Sequence, residues 1–409
     1  MSNIDSDSVK QELSETGTLT GIEADLDEEM VLEPFDPDAI SIEQKVVPMD
    51  TLVRRLKQQS IHLSPNFQRN EVWDVTRRSR LIESLLLKIP LPMFYVASDE
   101  KGTWEVVDGL QRLSTIRDFI IGNENGVCLT LKNLEFLGDK LNGKTFRSIE
   151  NDSTQQRLVN DILETEMRFT VINPGTPEAV KRNIFKRINT GGMPLTLQEI
   201  RHALYQGKSS DLLYELSCSK EFLNVLGHKV NDTRMASREL ILRFLSFLIF
   251  NRENYKSNLD SWLSNTMRVI NLMPNVAHNE LKKIYKIADE LPVINLSDLD
   301  EISNLFKKAM LRCDVIFDGH AFRKSIPGDE RKTPINKSLF EVWSNVLCRL
   351  SDAEFVKLKD NKKSLLEKYK LILEDAEFVS AISRHSSMQS SVTGRFNAIE
   401  NIVKETICG

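Results

Sequence analysis

Beyond Gly207 the hydrophobic residues recur almost wholly at helical spacing, and this half of the chain offers no convincing strand. The segments 209–217, 220–226, 236–250, 258–271, 278–289, 299–316, 336–350, 352–374 and 388–406 carry the pattern, joined by short polar links. A chain of 409 residues with such a second half cannot be built around one sheet. It predicts an α+β protein with an all-α domain over residues 208–409. The strongest apolar run, Leu240 to Phe250, contains Arg243 and is too short to span a bilayer. It reads as a buried helix, and no membrane contact is expected.

Strand signals are confined to the first half. Thr103-Trp-Glu-Val-Val107 is aromatic and β-branched, Asp108-Gly109 breaks the run, and Leu113, Ile116, Phe119 and Ile120 then recur at helical spacing. The chain therefore passes from strand to helix through a turn carrying Asp108, Gln111 and Arg112. Such a junction presents free backbone N–H groups and the positive end of a helix dipole, which suits an anion. Arg112 adds a planar fork of donors for phosphate oxygens. A purely structural reading fits the same residues. Asp108-x-x-Gln111 is also a capping box, and Arg112 can pair with Asp108. Spacing does not choose between the two.

Around this junction, Asp74 caps a helix with Leu81, Ile82, Leu85, Leu86 and Ile89 on one face, stopped by Pro90. Arg77, Arg78 and Arg80 lie largely off that face, either as a solvated surface or as contacts for nucleic acid. Before it, Pro65-Asn66 marks a loop holding Gln68 and Arg69. Leu91 to Ala97 and Met167 to Asn173 read as further strands. Thr176-Pro177 opens a helix that stops at Asn189-Thr190-Gly191-Gly192, and Thr196-x-x-Glu199 is a capping box for the next. Gly138-x-x-x-x-Gly143-Lys144-Thr145 meets the spacing of a phosphate loop. It lacks a convincing strand before it and a helical period after it, so it is read as a chance match.

The charge is unevenly placed. Residues 1–44 hold thirteen Asp or Glu against one Lys, which leaves 46 acids and 53 bases for the remainder. An acidic segment, expected to be disordered, precedes a mildly basic body over 45–207 and 208–409. Its removal is expected to leave thermal stability nearly unchanged. The basic body is compatible with nucleic acid without requiring it. The five cysteines are scattered and form no C-x-x-C, and no signal peptide is visible. Both features point to a reducing, cytoplasmic setting.

Three ordered motifs carry a resemblance. They are Phe67-Gln68-Arg69 with Trp73 and the Leu-Ile-Glu-Ser helix through Ile89-Pro90-Leu91-Pro92; Val107-Asp108-Gly109-Leu110-Gln111-Arg112-Leu113; and Phe185-x-Arg187-Ile188-Asn189-Thr190-Gly191-Gly192 with Pro194-Leu195 and Glu199. Over about residues 48–205 the chain resembles the N-terminal domain of the GmrSD-type restriction family, with its ParB/sulfiredoxin-like fold and D-G-Q-Q-R signature. Leu110 stands where the family usually has Gln. The resemblance implies antiviral defence against modified DNA and a nucleotide site whose hydrolysis accompanies cleavage. It places Asp108, Gln111 and Arg112 at the centre of an NTP site. Gln68, Arg69, Gly109, Asn189, Gly191 and Gly192 join it, and Asp108 meets the phosphates through Mg²⁺. Many relatives end in an HNH nuclease domain. Here Asp318-Gly-His320 and Asn336 are the nearest approach, with no compact cluster. The expected partners are therefore DNA, a separately encoded HNH-type nuclease subunit and further copies of the chain. The alternatives are a non-enzymatic DNA-binding adaptor with a degenerate nucleotide site, favoured by Leu110, and a self-contained metal-dependent nuclease.

Overall fold

The structure is a computed structural model that describes residues 10–13, 17–24, 41–63, 73–177, 180–184, 196–227, 234–285 and 291–409. The chain divides into two units, residues 32–195 and residues 1–31 with 196–409. The second unit takes up the chain again at Thr196. Described strands are β1 (Gln11–Leu13), β2 (Leu19–Glu23), β3 (Ile42–Pro48), β4 (Ile61–His62), β5 (Phe94–Ser98), β6 (Trp104–Asp108) and β7 (Glu166–Ile172).

In the unit spanning residues 32–195 five strands form one mixed sheet in the order β3-β7-β5-β6-β4. β7 runs antiparallel to β3 and parallel to β5, β5 and β6 form an antiparallel hairpin, and β4 lies parallel to β6. Helices α1 (Met49–Lys57), α2 (Val75–Leu86) and α3 (Leu110–Ile120) supply apolar residues to the core on one sheet face. There Leu52, Ile82, Leu113 and Ile116 share a cluster with Phe94, Val96, Trp104, Val106 and Phe169. Phe94 stacks on Phe169 with ring centroids 5.1 Å apart. As the sequence predicts, Asp74 caps α2, accepting from the Arg77 N–H at 2.6 Å.

The stretch 122–165, unassigned from the sequence, holds the short helices Gly138–Leu141, Phe146–Glu150 and Gln156–Leu163. Buried Glu83 on α2 anchors the chain before them. Its carboxylate accepts the N–H groups of Glu135, Phe136 and Leu137 at 3.0, 2.7 and 2.8 Å. Burial alone would raise its pKa, but these three donors and Arg80 outweigh it and hold the carboxyl below its ordinary value.

The other unit is helical, close to the predicted segments. The long predicted segment 352–374 breaks at Asn361 into Asp352–Asp360 and Lys362–Glu374. An unforeseen helix, Ala376–Ser383, follows, with Asp375 accepting from the Phe378 N–H at 2.7 Å. Arg243 is fully buried beside Glu239 at 3.0 Å, and Lys337 reaches the same carboxylate at 3.0 Å. These partners let a charged residue sit inside the apolar run 240–250.

The expectation of disorder over residues 1–44 is corrected for part of that stretch. β1 and β2 form an antiparallel pair. Ile22 is fully buried in the helical unit's core, and β2 bridges in parallel to Ile335. Two of the acids are there for pairing rather than solvation. Glu12 meets buried Lys337 at 2.6 Å, and Glu23 accepts from Lys324 at 2.9 Å and Asn336 at 2.8 Å. Among the described residues no helix is long and apolar enough to cross a membrane.

Candidate functional site

The turn between β6 and α3 is built by its neighbours rather than by a capping box. The N-cap of α3 is Gly109, and no side chain caps the helix. The Asp108-x-x-Gln111 capping box therefore does not form. Asp108 turns instead to Arg112, which donates to its Oδ2 at 2.7 Å. Arg112 also donates to the carbonyl of Pro92, and to that of Met93 at 3.3 Å, and its guanidinium lies 4.5 Å from the centre of the Phe94 ring. It ties the entrance of β5 to the end of β6. Burial pulls the guanidinium below its ordinary pKa, while the adjacent Asp108 pulls it back up.

Gly109 is required here on two counts. Its φ is +97°, in the left-handed region. A Cβ at this position would lie 2.4 Å from Phe94 Cδ1 and 3.1 Å from Arg112 Nη2. Gly109→Ala is expected to cost more than the roughly 1–2 kcal/mol of left-handed backbone strain alone. A denaturant titration reads this, and a change below about 0.5 kcal/mol would contradict it.

Register explains how Asp108 is aimed. Val96 pairs with Val106, yet the next residue back, Tyr95, pairs with Asp108. β6 thus carries one extra residue, a bulge of the kind that redirects a side chain. Val96 and Val106 belong to the core, so Asp108 shares the opposite sheet face with Tyr95. Gln111 is partly exposed at the start of α3, and its amide makes no hydrogen bond among the described residues. Leu110 is half-buried and packs against the core. Asp108, Gly109, Gln111 and Arg112 are therefore brought together. Gln68, Arg69, Asn189, Gly191 and Gly192 lie outside the described residues.

The remaining sequence candidates each have partners of their own. Arg78 pairs with Asp118, Arg80 with Glu135 at 2.9 Å, and Arg77 lies 4.6 Å from the centre of the Trp73 ring. The phosphate-loop spacing at Gly138 falls on a helical turn. There Thr145 caps the next helix and Lys144 lies 3.7 Å from Asp152. His320 Nδ1 is 3.0 Å from the Ser325 hydroxyl, and Asn336 donates to Glu23 and to the carbonyl of Ile382. Among the described residues no group of three or more His, Cys, Asp or Glu could hold a metal ion. At Asp108, Mg²⁺ would be bound by a single carboxylate together with phosphate oxygens and water, a donor set that magnesium commonly accepts.

Sequence reasoning passed over Glu105. It lies on β6 three residues before Asp108, opposite Ala97 of β5 and His62 of β4. Burial, with Asp99 acting in the same direction and Lys181 against it, pushes its carboxyl up to about 8. The available signal was an acid set between the apolar residues Trp104 and Val106.

The comparisons with known proteins agree with the motifs. The family model for the GmrSD restriction endonuclease, N-terminal domain, matches residues 50–206. No curated protein and no solved structure gives a significant match.

Proposed function

Since this chain carries the N-terminal domain of the GmrSD-type restriction family, which suggests a restriction or other defence role, we propose that it is the nucleotide-hydrolysing, DNA-sensing subunit of a modification-dependent restriction system. The observation that carries this reading is the uncapped N-terminus of α3, set beside a fixed Asp108–Arg112 pair. Phosphate oxygens would accept the free N–H groups of the first helical turn. Asp108 would hold Mg²⁺ on the phosphates, and Gln111, with its amide free among the described residues, would orient the attacking water. Mg²⁺ would supply charge neutralisation for the leaving phosphate.

Arg112 has a second duty in this reading. Its donors already hold Asp108 and the start of β5 in place. It acts by positioning Asp108 as well as by adding positive charge. The cutting would fall to a separate HNH-type nuclease, with modified DNA as the signal. The roles of Gln68, Arg69, Asn189, Gly191 and Gly192 in holding the nucleotide follow the family motifs, and assembly into several copies is compatible with this arrangement.

The test is phosphate release from a panel of NTPs with Mg²⁺, with and without modified DNA. Gln111→Ala is the sharper probe, because the Gln111 amide makes no hydrogen bond among the described residues. It is expected to lower turnover about 100-fold, the scale for losing one positioned polar group, with an unchanged melting temperature. Arg112→Ala should abolish turnover and also loosen the turn. No release from the wild type, with DNA and nuclease partner present, would leave the adaptor reading that Leu110 favours.

A further inference from the structure

We propose that Glu105 donates a hydrogen bond to the phosphate bound on the face of Asp108, so that one carboxyl of the site binds metal and the other binds anion. The proposal rests on the nucleotide-site reading above and names a further binding residue within it. In a regular strand, residues three apart point to opposite faces. The bulge in β6 removes that opposition. Glu105 lies opposite Ala97, and Asp108 lies opposite Tyr95, two residues back along β5 on the same side of the sheet. The same register places Glu105 beside His62 of β4.

Glu105 is partly buried, and its carboxyl makes no hydrogen bond among the described residues. Two ionised carboxylates on one face would repel a polyanion. A protonated carboxyl does not, and it offers an O–H donor. The groups acting on Glu105 are Asp99 from the β5–β6 turn, which favours keeping the proton, and Lys181 from helical residues 180–184, which opposes it. His62 flanks it on β4, and Asp108 on the same face is paired to Arg112. With burial added, the carboxyl titrates at about 8. Below that pH it is a donor, and above it an anion.

The experiment measures binding of Mg²⁺–ATP and Mg²⁺–GTP to the full chain at pH 7 and pH 9, for wild type and Glu105→Gln. The wild type is expected to lose affinity about tenfold, since one unit above the titration leaves roughly a tenth of the groups protonated. Glu105→Gln keeps a neutral donor at both pH values and should change less than threefold. Equal losses in both proteins would overturn the role of Glu105 while leaving the nucleotide site standing. No binding by either protein at either pH would overturn both. As a readout independent of ligand, ¹³C-carboxyl difference spectra of wild type and Glu105→Gln should show one group titrating near pH 8. A group titrating between pH 4 and 5 would overturn the proposal.

Discussion

Arg395→Ala is expected to lower stability by about 3–5 kcal/mol, the range for removing one partner of a buried ion pair. Arg395 and Glu341 are both fully inaccessible to solvent. The guanidinium meets Glu341 Oε1 at 2.6 Å through Nη2 and 3.2 Å through Nε. Its Nη1 donates to the carbonyls of Ser386 at 2.6 Å and Ala381 at 3.2 Å. One side chain thus links three helices: Lys337–Arg349, Ala376–Ser383 with the turn after it, and Gln389–Cys408. Removing it leaves the Glu341 charge buried and two carbonyls without their donor, and these penalties are larger than the net worth of the intact pair. The double variant Glu341→Met with Arg395→Met should recover part of the loss, because both members of the buried pair are then removed together. Chemical denaturation of the two variants and the wild type checks this. A loss below about 1 kcal/mol for Arg395→Ala would show that the pair is not sealed as described.

The contrast between what could and could not be read in advance follows from the range of the interactions. The helices after Gly207 were legible because burial of one face imposes a period that local sequence records. The break at Asn361 was not, since both flanking segments share that period and the stop lies in backbone geometry (φ −100°, ψ 21°). At the site, strand, turn and helix were visible around Asp108 and Gly109. The partner of Asp108 was left open between a cap and Arg112. That choice depends on the Pro92 and Met93 carbonyls twenty and nineteen residues away, which orient Arg112. Glu105 went unnoticed for a similar reason. An acid in a strand is unremarkable until a bulge and three neighbouring elements determine which face it shares. The Gly138 motif shows the converse: its spacing is correct, yet it falls on a helical turn with no strand before it.

The same dependence on distant partners governs the acidic N-terminus, and it leads to the second large effect. Composition alone argues that removing residues 1–44 should change little. The contacts argue otherwise, and Ile22→Ala isolates them without altering charge or linker length. Ile22 lies at zero exposure in the helical core, on a strand whose neighbours Gly21 and Glu23 exchange backbone hydrogen bonds with Ile335 at 2.9 and 2.8 Å. Truncating a buried isoleucine to alanine costs about 2–5 kcal/mol. For a helical unit of this size each kcal/mol moves the melting temperature by roughly 2–4 °C, so a fall on the order of 5–10 °C is expected. Deleting residues 1–24 should fall at least as far. It also strips Glu23 from Lys324 and Asn336, and Glu12 from Lys337, which would then retain the Glu239 contact. Calorimetry on the full chain and both variants decides between the two arguments. Unchanged melting of the deletion variant would return the segment to the role of a solvated tail. A matched fall in both would establish that this small part of an acidic, compositionally unpromising stretch is a built component of the helical unit.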